Sequence, residues 1–278
     1  MNNQIPVNKD SSTGNRFYFN APLELLNAAE KAVKETEVVL DIGCGVAPMN
    51  YFRPKLHILV EPWTEYSNIL SYRYARDKSV IILRTGALEA LKELADDSVD
   101  SIFLLDVIEH LEKDEGKQVI VEAERVAREQ IVVFTPLGFM PQHMEGEEVD
   151  GWGLSGSDVQ EHRSGWTPED FNTTWSFYIC NEFHGVNFKG EKLEKTYGAF
   201  FAIRNLEAKV IRKPAKITDF RKPLPSELEV TRLQADNFRL QGEASALKAE
   251  YFELFNSRGN RAVRYIKKIL RHLGLVSK

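Results

Sequence analysis

Cysteine is scarce. The chain holds two, Cys44 and Cys180, in a pattern that fits neither a metal-ligand spacing nor a disulfide framework. No metal is therefore expected, and a reducing, cytoplasmic setting is the default. Long apolar runs are missing too, and nothing approaches the roughly 20 residues that a bilayer-spanning helix needs. Residues Met1 to Arg16 are polar, which is not the pattern of a secretory signal. Excess positive charge is also lacking. The net charge is −5, and the ten Lys and Arg against six Asp and Glu from Ser226 onward leave −9 for the remainder. An acidic main domain argues against nucleic acid as the partner.

What is present suits a globular protein. Composition is 43% hydrophobic and 28% charged over 278 residues, enough for one domain with a sizeable core and something more. Residues 1–20 read as a flexible lead-in. Ala21 to Lys34 carries Leu23, Leu25, Leu26, Ala29 and Ala32 at helical spacing. Short apolar runs then recur at Glu37–Ile42, Leu56–Glu61, Ser79–Arg84, Ser101–Asp106 and Gln130–Thr135. They lack strict alternation, as strands buried on both faces of a parallel sheet do. Helical stretches fill the gaps at Tyr66–Arg76, Ala87–Ala95 and Lys113–Arg128. Two further runs, His184–Phe188 and Ala199–Arg204, lie too close for a helical crossover and read as an antiparallel hairpin. The expected fold is an open, doubly wound, mostly parallel α/β sheet over residues 21–212 with that hairpin at its end. A linker over 213–225, a coiled-coil helix over 226–256 and a basic amphipathic helix over 257–278 would follow.

The stretch "VVLDIGCGVAP", Val38 to Pro48, sits at the first strand-to-helix turn. Asp41 ends the strand, and Gly43 and Gly45 permit a sharp turn and close approach of a ligand to the backbone. A dinucleotide would call for a third glycine around its pyrophosphate, and Val46, Ala47 and Pro48 stand there instead. Twenty residues after Asp41, Glu61 closes "LHILVE", where a carboxylate can accept hydrogen bonds from both ribose hydroxyls. These residues imply a ligand with a free ribose and no pyrophosphate. Each also has a plainer reading. The glycines could merely end a strand, Glu61 could cap a helix or pair with Arg53, and Asp106 could be an N-cap.

Taken together with "LVEPWTEY", "TGALEAL" and "VDSIFLLDVIEHLEKDE", this stretch resembles the class I S-adenosylmethionine-dependent methyltransferases. "VVFTPLGF" and "HRSGWTPEDF" look like later parts of the same pattern, and the resemblance spans roughly Ala21 to Asn205. It implies S-adenosylmethionine as cofactor. Asp41, Gly43, Cys44 and Gly45 would surround the methionine part, Glu61 would hold the ribose, and Gly86, Ala87 and Leu88 would sit by the adenine. Asp106 and Val107 would lie beneath the reactive methyl. Thr85 and Gly86 occupy a place where the family often has an acidic residue, so adenine contacts would rest on backbone groups.

A hydroxyl acceptor benefits from a general base, and His110, His143 and His162 are the candidates. His110 could equally hold backbone at a helix start, and His162 could be loop scaffold. Met140 to Thr167 is a long loop and is expected to close over the site, with Trp152 and Trp166 free to stack on an acceptor or to pack on their own loop.

In the tail, a heptad with Val230 at position a places Leu233, Asn237, Leu240, Ala244, Leu247, Tyr251 and Leu254 on one seam. That reads as a parallel dimer or, alternatively, as a helix lying on its own domain. Beyond Asn256 there is no acidic residue, and Arg258, Arg261, Arg264, Lys267, Lys268 and Arg271 accompany an apolar stripe. This is the pattern of a helix at an anionic membrane surface, or of a solvated tail. "SRGNRAVRYIKKILRHLG" is loosely similar to basic terminal segments of bacterial enzymes that build cell-surface polysaccharides. The expected function is O-methylation of a saccharide or cell-surface glycan precursor. The alternatives are methylation of another small molecule or lipid, or a coiled-coil adaptor whose domain only binds ligand.

Overall fold

The computed structural model describes residues 8–9, 15–143, 149–187, 189–207, 225–256 and 258–274. The chain divides into two compact units, residues 1–211 and 212–278. The expected linker, 213–225, falls almost wholly outside the described residues.

The first unit is built on a nine-stranded sheet. Its strands are β1 (Asn8–Lys9), β2 (Arg16–Phe19), β3 (Val38–Ile42), β4 (Leu56–Val60), β5 (Val80–Leu83), β6 (Val99–Leu105), β7 (Ala127–Pro136), β8 (Ser176–Val186) and β9 (Lys192–Asn205). Their spatial order is β1-β2-β8-β9-β7-β6-β3-β4-β5. The five strands from β5 to β7 run parallel, and β9 is antiparallel to both β7 and β8. Chain order reverses between β3 and β6, so the crevice for a ligand opens beyond the carboxyl ends of these two strands.

Side chains alternate across the sheet and sort into two cores. Leu40, Ile42, Ile102, Leu104, Ile131 and Val133 pack with Leu91 of helix α3 (Ala87–Glu93) and with Val119, Ala123 and Val126 of α4 (Lys113–Val126). Their neighbours Val39, Phe103 and Val132 pack on the opposite face with Leu25 and Ala29 of α1 (Pro22–Ala32). Both faces are therefore dry, which is why the strand sequences lack polar alternation. Helix α2 (Thr64–Arg73) sets Leu70 against Leu59.

Two expectations need correction. Residues 16–19 are not lead-in but a strand pairing parallel with β8. Phe17 and Phe19 stack near Tyr178, and Phe19 is buried, so three aromatics in a row supply the apolar area that holds this edge. The hairpin is longer than read: β8 begins at Ser176 and β9 at Lys192, and the Asn187 N–H donates to the Glu191 carbonyl between them. "SFYIC" was hidden from pattern reading because Phe177 and Ile179 serve one core and Cys180 the other.

The second unit contains α5 (Pro225–Asn256) and α6 (Arg258–His272). Among the described residues no helix is long and apolar enough to cross a membrane.

Trp166 shows how the core supports the crevice. It is fully buried, its ring lies against Gly116 of α4, and its Nε1–H donates to the Ile108 carbonyl at 3.1 Å. Trp166→Ala removes that packing and one buried donor, and should destabilise the domain by about 3–5 kcal/mol. Urea denaturation followed by circular dichroism checks the figure.

Candidate active site

The glycine turn after β3 is held from two sides. Gly43 and Gly45 have φ of +64° and +55°, in the left-handed region. A Cβ on Gly43 would stand 2.8 Å from a Val107 methyl, so β6's continuation presses directly on the turn. Asp41, buried beneath, accepts the Met49 N–H at 2.8 Å and contacts His57 Nε2 at 3.2 Å. Glu61 accepts N–H groups from Gly45 at 2.8 Å and Trp63 at 2.7 Å. Burial raises its pKa, and the two backbone donors oppose the rise. Arg53 is not its partner, since that guanidinium pairs with Asp77. Cys44 is buried, which pushes its thiol up and keeps it protonated.

Past β6 the backbone is strained. Asp106 has φ +54°, unusual for a residue with a Cβ, and its N–H is anchored to the Phe134 carbonyl at 3.0 Å. A single 3-10 turn, Ile108–His110, follows. Asp106 is reachable from the crevice yet walled by protein on its other sides, and burial together with the Glu109 carboxylate drives its pKa well up. Burial also raises Glu109, whose Oε2 accepts the Thr135 hydroxyl at 3.0 Å.

The segment after β7 folds back onto this turn. Arg163 and Ser164 donate their N–H groups to the Glu109 carbonyl at 2.7 and 3.0 Å. Ser164 Oγ and Trp166 Nε1 both reach the Ile108 carbonyl at 3.1 Å. Lys113 of α4 lies 3.7 Å over the Trp166 ring and pairs with Asp170 at 2.7 Å. The clasp sets the rings of His110 and His162 5.0 Å apart, edge to face. Each Nδ1 faces a carbonyl: Glu161 O at 3.1 Å for His110 and Met140 O at 2.7 Å for His162. Burial pushes His162 down to about 4, with His110 adding to the shift, and burial lowers His110 as well. Both rings are neutral near pH 7.

Nearer the loop's start, Asp150 accepts N–H groups from Trp152, Leu154 and Gly156 and the hydroxyl of Tyr66. Trp152 stands edge-on to Tyr66 at 5.1 Å and reaches over Gly45, where a Cβ would come within 2.2 Å of its ring. The loop thus lies across the glycine turn.

Two cavities open on these groups. One, of about 190 Å³, is lined by Gly45, Glu61, Tyr66, Gly86, Ala87 and Val107. The other, of about 560 Å³, is lined by Asp41, Cys44, Glu109, Gln142, His162 and His184 among others. Gly43, Asp106, His110 and Gln160 border both, so the two spaces meet there.

Most of the residues read from sequence as cofactor or catalytic groups converge here: Asp41, Gly43, Cys44, Gly45, Glu61, Gly86, Ala87, Asp106, Val107, His110 and His162. Three do not. Leu88 points into the core below α3 because helix rotation places it opposite Gly86. His143 is largely exposed, borders neither cavity, and has Glu161 at 3.7 Å as its ionic neighbour. Trp166 is core and presents no face to an acceptor. Sequence reading missed Tyr66, Asp150, Gln160 and His184, whose positions depend on the long loop and the hairpin and carry no local motif.

Residues 40–134 match the family model described as a methyltransferase domain. No curated protein matches the chain. Among solved structures, the chain is similar to a SAM-dependent methyltransferase from Archaeoglobus fulgidus, at 16% identity and TM-score 0.40, over 65% of this chain and 94% of that one. It is similar to the YcgJ protein from Bacillus subtilis at 13% identity and TM-score 0.46, over 66% and 99% of the two chains. It is also similar to the N-methyltransferase NodS from Bradyrhizobium japonicum, solved with S-adenosyl-L-homocysteine, at 13% identity and TM-score 0.42, over 66% and 84%.

Gly45→Ala tests the packing of the loop on the turn. A left-handed φ costs a residue with a Cβ about 1–2 kcal/mol, and the new methyl also drives Trp152 off the turn. The variant should lose at least that much stability in urea melts and show a shifted tryptophan emission in its native state. Unchanged emission would mean that Trp152 does not rest on Gly45.

Proposed function

We propose that this chain, whose residues 40–134 match a methyltransferase-domain model, uses S-adenosylmethionine to methylate a hydroxyl of a saccharide or cell-surface glycan precursor. The observation that carries the reading is the meeting of two cavities at Gly43 and Asp106, a smaller one lined by Glu61, Gly86 and Ala87 and a larger one lined by Gln142, Gln160 and His162. In the first, Glu61 has lone pairs left for ribose hydroxyls after accepting two backbone N–H groups, and Gly86 and Ala87 offer backbone to the adenine. Asp41, Gly43, Cys44, Gly45 and Val107 would flank the methionine part, with Asp106 at the junction.

The cofactor supplies an already activated methyl on a cationic sulfur, so the protein's share is alignment and charge placement. Asp106 at the junction favours the positive charge of the bound sulfonium and amine. The larger cavity, about 560 Å³, falls within the range of small-molecule sites. Gln142, Gln160, His162 and Asn187 line it with hydrogen-bonding groups, which suits a polyhydroxylated acceptor. His110 and His162 have Nδ1 held by carbonyls, which leaves Nε2 of each for contact with the acceptor. The tail's loose similarity to segments of polysaccharide-building enzymes supports the choice of acceptor.

Glu61→Ala should weaken S-adenosylhomocysteine binding by about 1.5–3 kcal/mol, the worth of a charged acceptor to buried hydroxyls. Titration calorimetry on a variant with a native circular dichroism spectrum checks this. Unchanged affinity would remove Glu61 from the ribose site, and equally tight NAD binding would overturn the cofactor reading for the whole chain.

The second unit reads as a dimerising and membrane-docking tail. On α5, Val230, Leu233, Leu240 and Leu247 are each more than half exposed, as an unpaired heptad seam would be. On α6, Val263, Ile266 and Ile269 form an exposed apolar stripe beside Lys267, Lys268 and Arg271. A chain ending at Lys222 should be monomeric, bind cofactor with unchanged affinity and no longer sediment with anionic vesicles. Light scattering and vesicle pelleting decide it. A truncated chain that stays dimeric removes the seam as interface.

A further inference from the structure

Glu109, His110 and His162 form a cluster that methyl transfer by alignment alone does not require. One ligand atom from each, a carboxylate oxygen and two ring nitrogens, lie within 4.8 Å of one another. We propose that these three side chains bind a divalent first-row transition-metal ion, which receives the acceptor hydroxyl in the larger cavity.

Three features argue for a built site. The first is ring orientation. A carbonyl can only accept, so the Glu161 and Met140 oxygens at 3.1 and 2.7 Å place the imidazole hydrogens on Nδ1 of His110 and His162. Both Nε2 atoms then carry lone pairs. A backbone carbonyl behind each imidazole is the usual support for a metal-bound histidine. The second is Glu109. It is 2% exposed, Thr135 occupies its Oε2, and its Oε1 has no hydrogen-bond partner. A buried carboxylate oxygen without a donor is costly, and a cation removes that cost. The Asp106 carboxyl faces Glu109 beside the site and borders both cavities. The third is rigidity. Arg163 and Ser164 bind the Glu109 carbonyl through their N–H groups, so the two segments that donate ligands are already locked together.

Two imidazoles and a carboxylate suit zinc, iron, cobalt or manganese better than the all-oxygen ions calcium and magnesium. Ligand atoms around such an ion stand about 3.3 Å apart, so small rotations of the three side chains close the set. Three protein ligands leave coordination positions open toward Gln142, Gln160 and Asn187.

The site would act as a Lewis acid, without redox change, and in this respect the inference rests on the O-methylation reading. The acceptor hydroxyl binds the ion and loses its proton to water at the cavity mouth. The alkoxide oxygen attacks the methyl carbon. The new C–O bond forms as the S–C bond breaks, and the bonding pair stays on sulfur, leaving the neutral thioether. The sequence carried no metal spacing because the third ligand lies far along the chain and only the clasp brings it in.

The test uses tag-free full-length protein, freed of metal with a chelator and titrated with Co2+ and with Zn2+. We expect one equivalent of Co2+ with visible d–d absorption, and Zn2+ affinity reduced at least 100-fold in His162→Ala and in Glu109→Gln. S-adenosylhomocysteine affinity should stay within threefold in both variants, which also verifies that they fold. X-ray absorption of the wild-type Zn2+ form should show imidazole and oxygen neighbours, and needs no variant. No stoichiometric Co2+ binding by wild type, undiminished binding in both variants, or a zinc shell without imidazole would each overturn the inference. Failure of wild type to bind S-adenosylhomocysteine would instead overturn the methyltransferase reading and leave the metal result standing by itself.

Discussion

The site depends on a short set of hydrogen bonds between two chain segments that are far apart in sequence. Ile108 and Glu109 offer their carbonyls, and Arg163, Ser164 and Trp166 donate to them. These bonds are buried, so they gain strength from low dielectric and would leave costly unpaired groups if broken. Trp166 then fills the space above Gly116, and Lys113 covers its outer face while pairing with Asp170. Remove the clasp, and His162 leaves His110, the large cavity loses a wall, and the loop has no fixed root.

Charge is distributed around this clasp with a consistent logic. The crevice concentrates carboxyl groups: Asp41, Glu61 and Glu109 are buried in its wall, and Asp106 is exposed to it. Asp41 and Glu61 are stabilised by backbone N–H donors, which makes them the mortar of the glycine turn. Burial drives Asp106 and Glu109 upward, while backbone N–H groups and the Thr135 hydroxyl oppose the rise at Glu109. A cation placed beside these two carboxyls, whether a sulfonium, an ammonium or a metal ion, would favour their charged forms. The left-handed backbone at Asp106 is the strain that accompanies this arrangement, and strain of that kind gathers where geometry serves a ligand rather than stability.

The loop over the turn adds a second layer. Asp150 gathers three N–H groups of its own loop and the hydroxyl of Tyr66 on α2, so the segment behaves as a compact unit tied to the nucleoside side of the crevice. Trp152 extends from it over Gly45. The Asp150 network and the Tyr66–Trp152 contact hold this layer beside the smaller cavity, which Tyr66 and Gly45 line.

Local chemistry in the sequence determined the sheet's parallel half, the glycine turn, the carboxylate Glu61 at the end of β4 and the sharp end of β6 at Asp106. Each is a short-range consequence: dry strands need continuous apolar runs, a tight turn needs glycine, and a strand end needs a residue that can stop it. The resemblance carried by the same segments extended this to the cofactor. Tertiary structure alone decided the rest. It made residues 16–19 a strand, because their pairing partner lies in β8. It turned Leu88 and Trp166 inward and left His143 outside, since helix phase and loop path decide which way a side chain faces. It also joined Glu109, His110 and His162, because hydrogen bonds between distant backbones leave no periodicity in the chain that forms them.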